Sequence, residues 1–111
     1  MQKISIINNN SKFYHHLANI LIKIGDFESA EKIQKKAIEI EPLRPDFVFQ
    51  LSCIYYKKND IKKSLQKVNE AIKLKSDNPK FYSHLATLLK SIGDNEGAEI
   101  ARNKASELKK G

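Results

Sequence analysis

The clearest candidates for reactive chemistry in this chain are one cysteine, Cys53, and three histidines, His15, His16 and His84. A cysteine beside a histidine can act as a nucleophile, and two histidines four residues apart on a helix can bind a metal ion. Neither arrangement is indicated, because no glycine-rich loop accompanies Cys53 and because the adjacent His15 and His16 point about 100° apart on a helix. We therefore predict no catalytic residue, no metal site and no cofactor. A lone cysteine cannot form an internal disulfide, which favours a reducing compartment.

Lysine is the other abundant functional side chain. The formal net charge is +7, and the basic residues are 18 lysines against Arg44 and Arg102. Arginine is preferred for bidentate contacts to phosphates and bases, so an excess of lysine is more typical of a solvated surface. The lysines are nevertheless concentrated in a basic patch that only Asp60 and Glu70 oppose in sequence: Lys57, Lys58, Lys62, Lys63, Lys67, Lys73 and Lys75. This patch leaves open an alternative function, in which a basic convex face binds nucleic acid or another polyanion.

The elements that must position these side chains repeat with a period of 34 residues. Leu17, Leu51 and Leu85 coincide when the sequence is shifted by this period. So do the alanines Ala37, Ala71 and Ala105, and the pairs Gly25-Asp26, Asn59-Asp60 and Gly93-Asp94. A fixed period of this size indicates a stack of similar units, because one unit alone cannot bury its apolar face.

Each unit is predicted to contain two helices joined by a short turn. In the first unit, apolar residues spaced three and four apart predict a helix from Phe13 to Ile24, and Gly25 ends it. Asp26 is placed to cap a second helix, and Pro42 follows that helix. Asp60 and Asp94 occupy the same cap position in the later units. Asn78 and Pro79 supply a cap and a proline at the first helical position for the first helix of the third unit.

The helical units account for residues 11–111, which we divide into 11–44, 45–78 and 79–111, and residues 1–10 are expected to form a flexible or extended segment. No apolar run approaches the roughly 18 residues of a membrane span, and residues 1–10 lack the apolar stretch of a secretion signal. We therefore expect no membrane span and a cytoplasmic location. Ser106 stands where earlier units have Ile38 and Ile72, and Arg102 stands where they have Gln34 and Val68. This polar face predicts that the array ends at the third unit.

Small residues form three columns across the units: Ala18, Ser52 and Ala86; Ala30, Ser64 and Ala98; Ala37, Ala71 and Ala105. With the period and Pro42, these columns make residues 11–111 resemble the tetratricopeptide repeat family. The resemblance implies an all-α, right-handed α-solenoid of three helix-turn-helix repeats, with six antiparallel helices. It also implies a non-catalytic protein-protein interaction module, an adaptor or scaffold rather than an enzyme.

Members of the family bind a peptide or a partner's helix in a concave groove lined by the first helices of the repeats. Carried over by register, the groove contains five lysines and one carboxylate, Asp46, which suits a protein or peptide partner of acidic character. Its other predicted lining residues are Lys12, His15, His16, Asn19, Lys23, Phe49, Gln50, Cys53, Tyr56, Lys57, Lys80, Ser83, His84, Thr87 and Lys90. We expect Phe49 and Tyr56 to act as aromatic anchors.

Chaperone-binding members clamp a partner's C-terminal carboxylate with two lysines, two asparagines and an arginine. The corresponding residues here are His15, Lys80, Asn19, Gln50 and His84. Only Asn19 and Lys80 match, and an unperturbed histidine is mostly neutral at pH 7, so a less specific polar groove is favoured. A third possibility is self-association through the exposed edge of the first or last unit, to which Ile4, Ile6 and Ile7 could contribute. The chain would then be a monomer or a weak homo-oligomer.

Overall fold

The computed structural model describes the backbone of residues 2–110 and the side chains of residues 10–110. It contains six helices, α1 Gln2–Lys23, α2 Phe27–Ile40, α3 Pro45–Lys57, α4 Ile61–Leu74, α5 Pro79–Ser91 and α6 Asn95–Lys110. Three residues join the two helices of a unit, and four residues join one unit to the next. No strand occurs within residues 2–110, and each helix packs against its neighbours along the chain. The prediction of an all-α stack of helix pairs is confirmed.

The first helix is longer than the sequence pattern indicated, because α1 begins at Gln2 rather than near Phe13. The sequence predicted a flexible or extended segment over residues 1–10, whereas the described backbone of residues 2–10 is part of this helix. Extending an existing helix forms one hydrogen bond for each residue that is fixed, so a polar stretch can continue a helix that has already started. Met1, Gly111 and the side chains of Ile4, Ile6 and Ile7 lie outside the described residues.

Carboxylates cap the second helix of every unit, as predicted. Asp26, Asp60 and Asp94 each accept a hydrogen bond from the backbone N–H three residues later, at 2.9–3.1 Å. These bonds satisfy N–H groups that have no partner inside the helix. The residue before each cap has a left-handed backbone: Gly25 at φ 86°, Asn59 at φ 64° and Gly93 at φ 86°. The period therefore repeats a turn geometry as well as a pattern of apolar residues.

The three columns of small residues lie at the helix contacts, and none of their nine members is more than 3% exposed. Around them are two core clusters of buried residues: Val48, Val68, Ala71, Phe81 and Leu88, and Ala30, Leu51, Ile54 and Tyr55. Ser52 and Ser64 hold α3 close to α4 by donating to each other's backbone carbonyl oxygens, each at 2.7 Å. The serines thus fit a column of alanines without leaving a buried hydroxyl unpaired.

Candidate functional site

A cavity of about 350 Å³ opens between the first helices of the three units. We call it the central groove, and its lining residues are His15, Asn19 and Ile22 from α1, Asp46, Phe49, Gln50 and Cys53 from α3, and Asn78, Lys80 and Phe81 at the start of α5. Six of the predicted groove residues are therefore brought together from three different units: His15, Asn19, Phe49, Gln50, Cys53 and Lys80.

The other predicted groove residues lie elsewhere. Ser83, Thr87 and Lys90 line a second cavity of about 620 Å³, which they share with Arg102 and Ser106 at the open end of the third unit. The predicted residues that line neither cavity are Lys12, His16, Lys23, Tyr56, Lys57 and His84. The predicted set is thus divided between a central groove and a terminal surface.

Three residues of the central groove were not identified from the sequence: Ile22, Asn78 and Phe81. Ile22 occupies the same position in its unit as Tyr56 and Lys90, both of which were identified. The 34-residue period was therefore sufficient to find it. Asn78 was interpreted only as a helix cap, a role that it does perform by accepting a hydrogen bond from the backbone N–H of Lys80 at 2.9 Å.

A hydrogen-bonded network of amides lies beside the groove. The Nε2 group of the buried Gln34 donates to the carbonyl oxygen of Phe47 at 2.9 Å and lies 3.2 Å from Nδ1 of His15. Nε2 of Gln50 donates to Oε1 of Gln34 at 2.7 Å and to the carbonyl oxygen of His15 at 3.0 Å. Both amide hydrogens of each glutamine are therefore used inside the protein, and Nδ1 of His15 acts as an acceptor.

Aromatic rings connect the groove to the core. Phe49 lies 4.7 Å from Phe81 and 5.3 Å from His84 between ring centroids, and Tyr56 lies edge-on to His84 at 5.7 Å. Both Phe49 and Tyr56 are half-buried and pack against the core cluster that contains Val48. The two aromatic residues therefore help to hold α3 against α5.

The reactive side chains near the groove are uncharged at neutral pH. Burial lowers the pKa of His15 and of His84, and this outweighs the opposing effects of Asp46 on His15 and of a hydrogen bond with Ser52 on His84. Burial also raises the pKa of the Cys53 thiol to about 11. A protonated thiol is a poor nucleophile, so this cysteine does not have the activated form that covalent catalysis uses.

The permanent charges lie at the rim. Lys80 and Asp46 are both exposed, and Asp46 forms an ion pair with Arg44 at 3.2 Å. Within residues 10–110, no group of three or more histidine, cysteine, aspartate or glutamate side chains could hold a metal ion. The groove is therefore a partly apolar depression with one cation, Lys80, and one ion-paired carboxylate, Asp46, at its edge.

The basic patch is more strongly neutralised than its sequence suggested. Lys58 reaches back to the preceding unit, where its Nζ lies 2.9 Å from Glu28 and 2.6 Å from Glu31. Three further ion pairs within the patch are Lys63–Asp60 at 4.0 Å, Lys67–Glu70 at 3.4 Å and Lys75–Asp77 at 3.2 Å. The prediction that only Asp60 and Glu70 oppose these lysines is wrong, because stacking brings carboxylates from another unit into contact.

The stacked helix pairs, the small-residue columns and the groove define a helical-repeat solenoid. The model of the tetratricopeptide repeat family matches residues 11–42 and 45–78. The chain belongs to the tetratricopeptide repeat family.

Two curated relatives share part of their sequence with this chain. The Sol locus transcriptional repressor of Clostridium acetobutylicum is 34% identical over 94 residues, which are 85% of this chain and 29% of that protein. The TPR repeat-containing protein MJ1428 of Methanocaldococcus jannaschii is 38% identical over 58 residues, which are 52% of this chain and 10% of that protein. The chain thus spans less than a third of either relative.

Solved structures of other repeat proteins have the same fold. The second TPR of Spaghetti (RPAP3), bound to the HSP90 peptide SRMEEVD, superposes with a TM-score of 0.88 at 15% sequence identity. The match covers 97% of this chain and 99% of the Spaghetti chain. The type III secretion chaperone SycD of Yersinia enterocolitica, in complex with a peptide of the translocator YopD, superposes with a TM-score of 0.83 at 20% sequence identity. The match covers 87% of this chain and 74% of the SycD chain. Within residues 2–110, no helix has the length and apolar character required to cross a bilayer.

Proposed function

We propose that this chain is a non-catalytic protein-interaction module that binds an extended acidic segment of a partner protein in the central groove. The observation that carries the proposal is the composition of that cavity. Ile22, Phe49 and Phe81 supply apolar surface, and Asn19 and Lys80 supply hydrogen-bond donors. A cavity of about 350 Å³ with this lining suits one apolar side chain of the partner, with polar main chain on either side of it.

Charge favours an acidic partner. Lys12, Lys23, Lys57, Lys80 and Lys90 are all exposed along the first helices. The one carboxylate at the groove, Asp46, already interacts with Arg44 at 3.2 Å. Carboxylates on a bound peptide would therefore meet Lys80 at the rim, and the other lysines along the first helices where the peptide extends beyond the groove, with little repulsion from the protein. This attraction would also speed association.

The contacts favour a general polar groove over a clamp for a C-terminal carboxylate. Both amide hydrogens of Gln50 are already donated inside the protein, so this side chain offers the ligand only an acceptor oxygen. His15 and His84, which stand at positions where clamps have cations, have pKa values lowered by burial. Asn19 and Lys80 are the two clamp-like donors that remain available.

The structural neighbours support the class of ligand. The Spaghetti domain is bound to an HSP90 peptide that carries three acidic residues, and SycD is bound to a translocator peptide. A cytoplasmic setting and a partner presented as an unfolded or extended segment fit this use of the fold.

The test is a binding titration with two fluorescent peptides of equal length, one with a central leucine flanked by glutamates and one with glutamines in place of the glutamates. We expect the glutamate peptide to bind more tightly, and we expect Lys80→Glu to weaken its binding by about tenfold, or ~1.4 kcal/mol. Lys62→Glu makes the same charge change on an exposed residue of α4 that lies outside the groove and is the matched control.

Equal binding of the two peptides, or equal loss in the two variants, would refute an acidic ligand in the central groove. The polyanion alternative has its own signature, because affinity for duplex DNA would fall with log salt at a slope near 0.9 for each phosphate contacted. Tight, salt-sensitive DNA binding that is reduced by Lys62→Glu but not by Lys80→Glu would move the function to the basic patch.

A further inference from the structure

The cavity of about 620 Å³ between α5 and α6, which we call the terminal cavity, is lined by three cations: Lys90, Arg102 and Lys109. Among the residues that the structure describes, no carboxylate lines it. Within residues 10–110, none of the three cations forms an ion pair. The terminal cavity therefore concentrates positive charge that the protein itself does not neutralise.

Both helices present one face to the terminal cavity. Three residues of each helix line it with spacings of four and three, which places them on one side of the helix: Ser83, Thr87 and Lys90 on α5, and Arg102, Ser106 and Lys109 on α6. Because only three residues join α5 to α6, the two helices form a hairpin and run antiparallel. Lys90 and Arg102 therefore lie toward the same end of the cavity, and Lys109 lies toward the other.

Hydroxyl groups add hydrogen-bond donors to these charges. The hydroxyls of Thr87 and Ser91 donate to backbone carbonyl oxygens of α5, at 3.2 and 3.0 Å. The hydroxyls of Ser83 and Ser106 have no partner among residues 10–110, so both can donate to a ligand. A ligand in the terminal cavity must therefore supply acceptors and negative charge.

This lining chemistry is particular to the third unit. Four corresponding positions of the second unit are apolar or aromatic and pack in one core cluster with residues of α5: Phe49, Tyr56, Val68 and Ile72. The third unit has polar or cationic residues at the same four positions: Ser83, Lys90, Arg102 and Ser106. An apolar element packed on the terminal cavity would bury two cations without partners, which is costly. An anionic ligand is the occupant that this lining fits.

We propose that the terminal cavity binds a phosphate monoester between Lys90 and Arg102. A carboxylate has one negative charge and two oxygens, whereas a phosphate monoester has close to two negative charges at pH 7 and three terminal oxygens. Its charge matches the two cations at that end of the cavity. Its oxygens can also accept two parallel N–H groups from the planar guanidinium of Arg102.

The size of the terminal cavity indicates that the ligand extends beyond its phosphate. About 620 Å³ is the volume of a site for a small organic molecule or a few residues of a peptide. Ser106 and Lys109 line the part of the cavity beyond Arg102, where they can contact the rest of the ligand. A phosphorylated side chain of a protein and a small phosphorylated metabolite both supply this chemistry, and a binding titration separates them.

The terminal cavity and the central groove can be tested separately, because they share no described residue. A peptide without glutamate, aspartate or a large apolar side chain lacks the features that the central groove is proposed to bind. Failure of such a peptide to bind would therefore leave the central groove untested, and failure of the leucine–glutamate peptide would leave the terminal cavity untested.

The test is a titration of the full chain, followed by two-dimensional NMR, with a short capped peptide of glycine, alanine and serine that carries one central phosphoserine. Two matched peptides carry glutamate or unmodified serine at that position. We expect the phosphoserine peptide to bind about tenfold more tightly than the glutamate peptide, and the serine peptide not to bind. The largest changes in backbone amide shift should occur at Ser83, Thr87 and Ser106.

Substitution of Arg102 tests the site directly. Arg102→Gln should weaken binding of the phosphoserine peptide by about tenfold, and Arg102→Lys should weaken it less because it keeps the charge. Arg102 is exposed, so the melting temperature of both variants should stay close to wild type. Lys104→Gln removes a cation from an exposed position of the same helix outside the cavity and should bind like wild type.

Inorganic phosphate identifies the source of the ligand. Phosphate binding as tight as that of the phosphoserine peptide, and equally sensitive to Arg102→Gln, would support a site for a small phosphorylated compound. Much weaker phosphate binding would support a site for a phosphorylated side chain.

Three results would overturn the assignment of a phosphate monoester. Equal binding of the phosphoserine and glutamate peptides would show that the cavity does not distinguish phosphate from carboxylate. Equal loss in Arg102→Gln and Lys104→Gln would show that only the general positive charge matters. Displacement of the phosphoserine peptide by duplex DNA at a lower phosphate concentration than by inorganic phosphate would favour a nucleic-acid backbone instead.

Discussion

Oγ of Ser52 lies 3.1 Å from Nε2 of His84, where the second unit meets the third. A serine and a histidine at this distance resemble a nucleophile and its base, but the hydroxyl hydrogens point the other way. Ser52 donates to the carbonyl oxygen of Ser64, and Ser64 donates to the carbonyl oxygen of Ser52, each at 2.7 Å. Nε2 of His84 must therefore be the donor in this contact, and since Ser52 is fully buried the pair is structural.

We predict that the burial of His84 makes the protein less stable in mild acid. The pKa of His84 is lowered from 6.5 by burial, so the unfolded chain binds a proton more readily than the folded chain. The stabilising contribution is present above pH 6.5 and decreases as the pH falls below that value. Urea unfolding over a series of pH values should show a smaller loss in His84→Asn than in wild type.

Thr87→Asn, at an exposed position of the same helix, supplies the control for this experiment. Because it removes no titratable group, Thr87→Asn should keep the wild-type dependence of unfolding free energy on pH. An identical dependence in wild type and His84→Asn would show that His84 titrates alike in the folded and unfolded chain.

A substitution at Ala71 tests the packing of the small-residue columns. It is 0% exposed and belongs to the core cluster that contains Val68 and Phe81. We expect Ala71→Leu to reduce the free energy of unfolding by about 1–3 kcal/mol, because the larger side chain overpacks the helix contact. Asn69→Leu, at an exposed position of the same helix, should change it by less than about 0.5 kcal/mol. Equal melting temperatures for Ala71→Leu and wild type would contradict this packing.

We expect the protonation of Glu31 to reduce the stability of the protein in stronger acid. Burial raises its pKa, but hydrogen bonds from Lys35, Lys58 and Tyr55 outweigh burial and lower the pKa from 4.5 to about 2. A lowered carboxyl pKa stabilises the folded chain above the unfolded value, and this stability is lost as the pH falls from 4.5 to about 2. Glu31→Gln should be less stable than wild type at pH 7 and should lose less stability over that range.

A matched substitution for Glu31→Gln is Glu39→Gln, at an exposed position of the same helix. Because Glu39 is exposed, this variant should change the free energy of unfolding at pH 7 by less than about 0.5 kcal/mol. If Glu31→Gln and Glu39→Gln gave the same acid profile, the bonds from Lys58 and Tyr55 would not stabilise the stack of the first two units.

The left-handed turn residues can be exchanged with opposite effects. Gly93 has φ 86°, and a Cβ added to it would meet nothing within 4 Å, so the cost of Gly93→Ala is that of the backbone alone, about 1 kcal/mol. Asn59 has φ 64° at the equivalent turn, and Asn59→Gly should stabilise by a few tenths of a kcal/mol. Thermal unfolding of both variants measures these two changes in stability. A Gly93→Ala variant that is more stable than wild type would contradict the turn geometry.

Much of the fold followed from the 34-residue period. Asp26, Asp60 and Asp94 were predicted as caps and act as caps, because capping depends on residues only three positions apart. The columns represented by Ala71 were also predicted, since close helix contacts exclude large side chains locally. The start of α1 was missed, because three consecutive asparagines, Asn8 to Asn10, separate Ile4, Ile6 and Ile7 from the periodic residues that follow.

The groove was predicted only in part. Register predicted Asn19 and Lys80, which line this cavity, but could not show that Gln34, a residue of a second helix, would use the amide of Gln50. Nor could it show that Lys58 would bond to carboxylates of the preceding unit. These contacts join residues 16 to 30 positions apart, so they exist only once the units are stacked.

The sequence by itself determined the repeat, the helix pairs, the caps and the positions from which a groove could be built, because each depends on local spacing that recurs three times. Only the tertiary structure decided which side chains remain available to a ligand. Stacking buried Phe47 and left its counterpart Phe13 exposed. It also placed His84 in a hydrogen bond with Ser52, so this imidazole is not available to a ligand as a cation. The physical reason is that burial and partner distance belong to pairs of units, whereas the period describes one unit at a time.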